Sequence, residues 1–294
     1  MSTGACLWCG SPLAPVATPR WTVLRCASCG AGTTVPRPSD EDLAGYDSWY
    51  RPPSGRFAGP GDAVLRATRS LLARRIDRRA PAGAVLDVGC GDGILLDALH
   101  AGGRDALGLE RKPFRPDVRT GSVSQLGREW AAVVFFHSLE HLPSPVEALA
   151  EAAQALAPRG LLVVASPNWG SWQARLFGER WLARDIPFHV VHLTERALLS
   201  RIRDLGLRIE SVSYLRGGQV VFGWLHGLVG LLPGQPDLYD AIRRPEARRR
   251  PLSARRRAGT LAAAAVLLPG AVLCAVAEIL ARRGGTIYVE ARRV

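Results

Sequence analysis

Residues 84–99, AVLDVGCGDGILLDAL, place glycines and acids at the junction of two predicted elements. A buried strand is predicted to end at Asp87-Val88, and a helix is predicted to begin at Ile94. The turn between them contains Gly89, Gly91 and Gly93. Glycines let the backbone approach a ligand closely, and a helix N-terminus favours an anionic group. A second predicted strand ends about twenty residues later at Glu110, whose carboxylate can accept both hydroxyls of a ribose. The pattern therefore predicts a ribose-containing ligand, and its spacing differs from the G-x-G-x-x-G of dinucleotide enzymes.

Two cysteine pairs with the spacing C-x-x-C lie near the N-terminus, with sixteen residues between the pairs. These cysteines are Cys6, Cys9, Cys26 and Cys29. The spacing is typical of a structural zinc site with four thiolate ligands, and Gly10 and Gly30 suit a tight turn after each pair. A module this short buries little apolar surface, so the metal would supply folding free energy. Redox pairs or reactive thiols are the alternative. Cys90 and Cys274 have no cysteine partner in the sequence and are expected to be ordinary buried residues.

The LDVGCGDG motif, followed by the acid at position 110, resembles that of class I S-adenosylmethionine-dependent methyltransferases. The resemblance covers most of residues 81–216 and the last predicted strand, and it implies S-adenosylmethionine as cofactor. It assigns the cofactor site to Asp87, Gly89, Cys90, Gly91, Gly93, Glu110, Ser122 and His137. Glu110 takes the position of the ribose-binding acid. Ser122 stands where the family often has an aspartate that contacts the adenine amino group, so this contact is expected to differ.

The stretch HSLEHLPSP resembles the LEH loop of small-molecule methyltransferases, including those that methylate quinone precursors. His141 is the candidate general base for a substrate hydroxyl, because the pKa of a free imidazole lies near working pH. His137, Glu140 and His141 could instead hold a divalent cation, although His137 stands where the quinone-type relatives have an acid. In a third interpretation, Glu140 and His141 only cap and orient the next helix.

Residues 168–192 are rich in aromatic side chains and follow a predicted strand, at the edge where parallel sheets bind ligands. This composition favours an apolar or ring-bearing acceptor, and a packed lid without direct contact is the alternative. His189 matches a histidine of similar bacterial methyltransferases and is the second candidate base. The preceding SPNWG differs from the Asn/Asp-Pro-Pro-aromatic motif of enzymes that methylate nucleobase amines, which argues against such an acceptor.

Apolar runs alternate with amphipathic stretches in residues 81–216, which predicts βαβ units and a parallel sheet. The predicted strands are Ala84–Val88, Ala106–Leu109, Ala132–Phe136, Leu161–Ala165 and Leu207–Tyr214. The resemblance adds Thr286–Ala291 as an antiparallel last strand beside Leu207–Tyr214. Helices are predicted to begin after Ser39, Ser144 and Thr194, which suit N-caps. The fold class is therefore α/β, a Rossmann-like doubly wound sheet with an antiparallel last strand, a zinc ribbon before it and a hydrophobic insert before the last strand.

The insert, residues 217–283, is apolar at both ends and rich in proline and arginine between them. Leu261–Leu280 just reaches the ~20 residues that span a bilayer. Because the strands on both sides belong to one sheet, the insert must cross a membrane zero times or an even number of times. Pro269-Gly270 is expected to kink this run. The flanking arginine cluster contains Arg243, Arg244, Arg248, Arg249, Arg250, Arg255, Arg256 and Arg257. We predict a monotopic attachment in which the cluster faces anionic headgroups, and a soluble helical cap is the alternative.

The formal net charge is +12, but Lys112 is the only lysine and metal-bound thiolates would offset part of the charge. The N-terminal sequence lacks the regions of a secretory signal. We therefore expect a cytoplasmic enzyme, peripheral on the cytoplasmic membrane face, that methylates a small acceptor of lipid-linked, sugar or quinone-like type. The alternatives are an RNA methyltransferase that docks through its zinc ribbon and a non-catalytic membrane adaptor; nucleic acid is not the expected partner. The predicted domains are residues 1–38 (zinc ribbon), 39–80 (linker and helix), 81–216 with 284–294 (methyltransferase domain) and 217–283 (insert).

Overall fold

A computed structural model describes residues 4–15, 20–44 and 55–294. Its strands are β1 Thr22–Arg25, β2 Gly32–Val35, β3 Val85–Val88, β4 Ala106–Leu109, β5 Val118–Arg119, β6 Trp130–Phe136, β7 Leu156–Pro167, β8 Val191–His192, β9 Leu207–Ser213 and β10 Thr286–Arg293. Its helices are α1 Asp40–Ala44, α2 Gly61–Arg79, α3 Ile94–Ala101, α4 Pro145–Ala155, α5 Trp172–Phe177, α6 Glu195–Asp204, α7 Val220–Gly230, α8 Leu238–Ile242 and α9 Ala254–Leu280.

A seven-stranded sheet with the order β5-β4-β3-β6-β7-β10-β9 forms the centre of the fold. β3 pairs in parallel with β4 and β6, and β6 pairs in parallel with β7. β10 is antiparallel to both of its neighbours, β7 and β9. Successive residues of β3 point to opposite faces, so Val85 and Leu86 pack into two different apolar layers. The predicted Rossmann-like α/β fold with an antiparallel last strand is confirmed.

Most of the predicted helix N-caps are confirmed. The Ser39 N–H donates to Asp42 Oδ2 at 2.8 Å and the Asp42 N–H donates to Ser39 Oγ at 3.2 Å, which is a reciprocal capping box. Thr194 caps α6 by accepting a hydrogen bond from Ala197 N at 3.3 Å. Ser144 precedes α4, but its side chain makes no capping hydrogen bond. The start of α4 therefore rests on Pro145 at its first position, where a missing N–H costs nothing.

The cysteine-bearing module is built on the antiparallel β1–β2 hairpin. β2 also pairs antiparallel with β8, so that Gly32 lies opposite His192 and Thr33 lies opposite Val191. β8 belongs to the segment that the sequence predicts as an acceptor loop. Pairing between these distant segments has no local signal in the sequence.

The insert folds into α7, α8 and α9, and α9 packs against the other two helices. α9 is 27 residues long, and its most apolar window has a mean hydropathy of 2.2 with 22% of its residues buried. Length and composition are those of a helix that can cross a membrane, a test that buried helices of soluble proteins also pass. The expected kink does not end the helix, because α9 continues through Pro269 and Gly270.

The arginine cluster of the insert is only partly available to a surface partner. Arg243 is fully buried and lies over the Tyr239 ring at 5.0 Å. Arg249 forms an ion pair with Asp185 at 2.6 Å. The prediction that the whole cluster faces outward is therefore wrong for Arg243, since the fold uses that side chain internally.

Candidate active site

An open cavity lies at the carboxyl ends of β3, β4 and β6. The residue that follows each of these strands lines it: Gly89, Glu110 and His137. The other lining residues are Leu43, Arg56, Arg69, Asp87, Cys90, Gly91, Asp92, Leu95, Arg111, Phe136, Ser138, His141, Leu142, Pro143, Phe188 and Gln219. Most of the residues that the sequence assigns to the cofactor thus meet at one cavity, where ligands of parallel sheets bind.

The glycine turn has a backbone that other residues adopt poorly. Gly89 has a φ of 72°, and a Cβ atom there would lie 2.4 Å from Ser138 Cβ. Ser138 is held in this place because its hydroxyl donates a hydrogen bond to Val88 O. The Cys90 side chain packs against β4, since a Cβ atom on Gly108 would lie 2.5 Å from Cys90 Sγ.

Two carboxylates face the cavity with different surroundings. Asp87 is 3% exposed, and burial raises the pKa of its carboxyl to about 7, with Glu110 and Asp92 adding to the rise and Arg69 opposing it. The Glu110 carboxylate is oriented by two backbone donors, Gly91 N at 3.1 Å and Arg111 N at 3.0 Å. This donor set fits S-adenosylmethionine: Glu110 can accept ribose hydroxyls, and a bound cationic group would favour the ionised form of Asp87.

Gly93 and Ser122 are the predicted cofactor residues that lie outside the cavity lining. Gly93 occupies the left-handed N-cap position of α3, where a Cβ atom would lie 2.7 Å from the Arg115 guanidinium. Ser122 is turned into its own loop, and its N–H donates to Gln125 Oε1 at 2.8 Å. Each of the two residues is engaged in local turn structure, and their contacts with the cofactor stay predictions.

Sequence reasoning missed the polar side chains that reach the cavity from outside the glycine motif. Arg56 donates to Asp92 at 2.6 Å and joins the segment before α2 to the glycine turn. The Arg69 guanidinium of α2 lies over the Phe136 ring at 4.2 Å from its centroid. No motif marks these arginines, so only the packing of α2 and of the segment before it brings them to the site.

The two candidate bases lie at different distances from the cavity. His141 lines the cavity, and its Nδ1 donates to Phe188 O at 3.0 Å. Burial lowers the pKa of His141 to about 4, with His189 adding to the effect, so the imidazole is neutral at pH 7. His189 is 7% exposed and lies behind His141 with 4.5 Å between the ring centroids. His141 is therefore the candidate base that lines the cavity, and His189 lies behind it.

Glu140 lies beside this histidine pair and is 2% exposed. Burial alone would raise the pKa of its carboxyl, but His137 at 3.6 Å and the imidazoles of His189 and His141 hold the pKa below its ordinary range. Ser166 also donates to its Oε2 at 3.2 Å. Within the described chain, Glu140, His141 and His189 each offer a possible metal-ligand atom within 4.8 Å of the others. The sequence groups His137 with Glu140 and His141, but this set contains His189 in place of His137.

The four N-terminal cysteines come together as the spacing predicts. Cys6 Sγ and Cys29 Sγ lie 3.7 Å apart, Cys9 Sγ and Cys26 Sγ lie 3.6 Å apart, and all four sulfurs lie within 4.8 Å of one another. Thiolates at about 2.3 Å from a tetrahedral zinc ion are separated by about 3.8 Å. None of these cysteines is in a disulfide. The donor set is therefore compatible with a four-thiolate zinc site.

A family model described as a methyltransferase domain matches residues 63–212, which is just over half of the 294 residues. The chain belongs to this methyltransferase family. The match contains the glycine turn, Glu110 and the His141 loop, and the chain is accordingly an S-adenosylmethionine-dependent methyltransferase. The family match does not extend to the cysteine-bearing module or to the insert.

Curated proteins similar to this methyltransferase include several that are named ubiquinone biosynthesis O-methyltransferase. The protein of Xanthomonas axonopodis pv. citri is 30% identical over 161 residues, which cover 46% of this chain and 67% of that protein. The protein of Xylella fastidiosa is 28% identical over 203 residues, which cover 60% of this chain and 80% of that protein. The chain spans about two thirds of the length of the Xanthomonas relatives that it matches.

Solved structures that are similar to this methyltransferase include an S-adenosylmethionine-dependent methyltransferase from Archaeoglobus fulgidus. It is 17% identical with a TM-score of 0.47, and the alignment covers 76% of this chain and 94% of that chain. A Haloferax volcanii complex of the Trm112 activator with a methyltransferase gives 16% identity, a TM-score of 0.45 and coverage of 84% and 96%.

Proposed function

We propose that this methyltransferase transfers a methyl group from S-adenosylmethionine to a hydroxyl oxygen of a phenolic acceptor carried by the membrane. The names of the curated relatives support oxygen as the acceptor atom and a quinone-like ring as the acceptor class. The proposal includes a peripheral position on the cytoplasmic membrane face. It rests above all on one observation, that the apolar insert begins at the wall of the cofactor cavity.

The insert and the cavity share residues. Gln219, immediately before α7, lines the cavity together with the glycine turn. His137, at the end of β6, has its Nε2 2.8 Å from Gly217 O, the first residue of the insert. Gln173 Nε2 donates to Val220 O at 3.1 Å, which ties α5 to the same junction. An acceptor that leaves a membrane along the insert would therefore reach the methyl-transfer site without crossing bulk water.

The residues of the cavity divide the chemistry between them. When bound, S-adenosylmethionine supplies an electrophilic methyl group on a sulfonium centre. The acceptor oxygen forms a bond to the methyl carbon while the carbon–sulfur bond breaks, so the acceptor must lose its proton. His141 accepts this proton because its neutral imidazole lines the cavity, and the Glu140 carboxylate stabilises the imidazolium that results. Asp87 and Glu110 hold the cofactor so that the reacting atoms are aligned.

The outer face of α9 has the composition of a membrane-binding surface. Val266, Leu273 and Leu280 are 79%, 70% and 78% exposed. The opposite face buries Ala264, Ala271 and Ala275 against α7 and α8. No charged residue lies on the exposed face between Arg257 and the end of the helix, because the charged residue in that stretch, Glu278, is fully buried. Lipid is the occupant that best matches a long apolar face of this kind.

The ends of α9 carry exposed arginines that suit anionic headgroups. Arg255 and Arg256 lie in the first turn, and Arg282 and Arg283 follow the last turn. A helix of 27 residues is about 40 Å long, so these pairs lie at its two ends. Arginines at both ends favour a helix that lies along the surface, since both ends then meet the same headgroup layer.

The topology also opposes a single membrane crossing. β9 precedes the insert and β10 follows it, and the two strands are antiparallel neighbours in one sheet. α7 and α8 pack on α9, so the fold holds that helix from one side along much of its length. A surface position keeps these contacts, whereas a crossing would break them.

Methyl-labelled S-adenosylmethionine tests the acceptor class in a lysate of the host, with the Glu110→Ala protein as the blank. Label in the organic phase is the expected result. Ribonuclease-sensitive label in the aqueous phase would instead support an RNA methyltransferase, and ribonuclease-resistant aqueous label would point to a soluble sugar or metabolite. Label that never exceeds the blank would support a non-catalytic adaptor. Each of the last three results contradicts the proposal.

Sedimentation with vesicles that contain phosphatidylglycerol tests the membrane surface separately. Leu273→Glu places a charge on the outer face of α9, and Leu71→Glu on α2 is the matched control, since Leu71 is 58% exposed. We expect Leu273→Glu to lower the bound fraction at least fivefold and Leu71→Glu to leave it unchanged. Equal binding by both variants would contradict the membrane assignment, as would a wild-type dimer that Leu273→Glu dissociates.

A further inference from the structure

The cysteine-bearing module and the acceptor segment are joined in one sheet rather than in separate domains. β1, β2 and β8 form a three-stranded sheet, and Thr34 N donates to Val190 O at 3.0 Å just beyond the β2–β8 pairing. On its other side the module is tied to α6: Trp8 Nε1 donates to Ala197 O at 3.0 Å, and Arg201 donates to Trp8 O at 2.7 Å. The module is therefore docked on the catalytic domain through buried polar contacts.

The Thr34 side chain makes two contacts with the acceptor segment. Its hydroxyl donates to His189 O at 2.6 Å and lies 3.0 Å from His192 Nε2. Thr34 is fully buried and His192 is 4% exposed. A hydroxyl has one proton, so once it is donated to His189 O, the second contact requires His192 Nε2 to be the donor. Thr34 thereby fixes a backbone position and a ring tautomer at the same time.

A second contact comes from Gly32 of β2. A Cβ atom at position 32 would lie 2.4 Å from the Trp169 ring, so that ring rests against the glycine backbone. The Trp169 and His192 ring centroids are 5.7 Å apart. Trp169 and His192 also line a small space together with Glu140 and His189. The module thus forms the outer wall behind the histidines of the active site.

This wall is connected to the cavity through His189. The ring of His189 packs edge-on against the His141 ring at 4.5 Å. The next residue, Val190, donates its N–H to Glu140 O at 2.9 Å. A shift of the β8 segment would therefore move both the His141 ring and the loop that contains Glu140. The glycine turn follows β3 and Glu110 follows β4, and neither strand pairs with β2 or β8 in the described sheets.

We propose that the four-cysteine module is a structural part of the acceptor site. In this arrangement Thr34 positions His189 and His192 behind His141. Metal occupancy then controls acceptor turnover without controlling cofactor affinity. The part of the proposal that concerns turnover rests on the proposed role of His141. The part that concerns the position of His189 and His192 does not, because it depends only on contacts within the chain. Thr34 is a positioning residue, since it contacts neither the cavity nor the reacting atoms.

Substitutions at Thr34 test the turnover part in the zinc-loaded protein, with a catechol that carries a short prenyl chain as acceptor probe. Thr34→Val removes the hydroxyl and keeps the shape, Thr34→Ser keeps the hydroxyl, and Thr68→Val on α2 is the surface control. We expect Thr34→Val to lower kcat at least tenfold, with the Kd for S-adenosylhomocysteine within twofold of wild type. Thr34→Ser should retain at least half of kcat. Equal losses of kcat in the Val and Ser variants, or a parallel loss of S-adenosylhomocysteine affinity, would overturn the proposal.

Amide hydrogen exchange tests the position part without any acceptor. Removal of the metal by a chelator, and separately Thr34→Val, should raise exchange at least tenfold at residues 189–192 while residues 89–93 keep their protection. Readdition of zinc should reverse the first effect. Unchanged exchange at residues 189–192 in both proteins would refute the coupling. If the prenylated catechol is not methylated by the wild type but the exchange result holds, the proposed acceptor is wrong and the positioning role stands.

Discussion

Glu278 is the side chain that fixes how α9 is rotated. It is fully buried, and its Oε1 accepts a hydrogen bond from Gln173 N at 3.0 Å. Its Oε2 accepts hydrogen bonds from Gln173 Nε2 and from Trp224 Nε1, both at 2.8 Å. The charge of Glu278 therefore faces α5 and α7, which turns the apolar residues of α9 outward.

The size of the effect follows from these donors. Glu278→Ala leaves three buried N–H groups without an acceptor, and each such group costs about 1–3 kcal/mol, so we expect a loss of roughly 3–9 kcal/mol in the free energy of unfolding. Glu278→Gln keeps the volume and one oxygen, so at least one donor then faces an amide NH₂, and the expected loss is about 1–3 kcal/mol. Total stabilities of about 5–15 kcal/mol make either loss measurable.

Urea unfolding followed by tryptophan fluorescence measures both losses, and Trp224 reports on the site itself. Glu179→Ala is the matched control, because the Glu179 side chain is 87% exposed and its pair with Arg184 at 3.4 Å contributes little. The expected order of destabilisation is Ala, then Gln, then the control. A Glu278→Ala protein within 0.5 kcal/mol of wild type, on the order of a surface substitution, would refute the burial of Glu278 and with it the orientation of α9.

Two further predictions concern the cavity and the histidines. Glu110→Ala should weaken S-adenosylhomocysteine binding by about 10- to 100-fold in calorimetry, because the charged acceptor of the ribose hydroxyls is lost. The control Glu129→Ala, at an exposed position, should keep the wild-type affinity. Equal affinities of the Glu110→Ala and Glu129→Ala proteins would contradict the ribose assignment. Burial lowers the pKa of His141 to about 4 and that of His192 to about 3, so both imidazoles take up protons on unfolding below pH 6.5. The stabilisation from the two neutral imidazoles is thus fully present above pH 6.5 and falls as the pH drops toward 4. The decrease in Tm between pH 7 and pH 5 should be smaller in His192→Asn than in wild type. The same decrease in both proteins would argue against a neutral buried His192.

Features that depend on neighbouring residues could be predicted from the sequence. The turn of Gly89 and its companions, the metal-type spacing of the cysteines and the caps at Ser39 and Thr194 each involve residues a few positions apart. Such patterns are set by backbone sterics and local hydrogen bonds, which do not require the rest of the fold. The antiparallel last strand was predicted by family resemblance, because nothing local announces which strand it will join.

Features that depend on distant contacts were decided by the tertiary structure. The sequence proposes His141 and His189 as two candidate bases, and only packing places one at the cavity and the other behind it.

In the insert and in the cysteine-bearing module, composition and spacing predict some features and packing decides the others. Composition identifies an apolar run with arginines at its ends, but the inward Glu278 and the buried Arg243 are known only from the packed helices. The cysteine spacing predicts a metal site, but only the pairing of β2 with β8 brings this module against the segment that contains His192. The physical reason is that the burial and the partner of a side chain depend on which surfaces meet in space, and the order of residues along the chain does not contain that information in any local form.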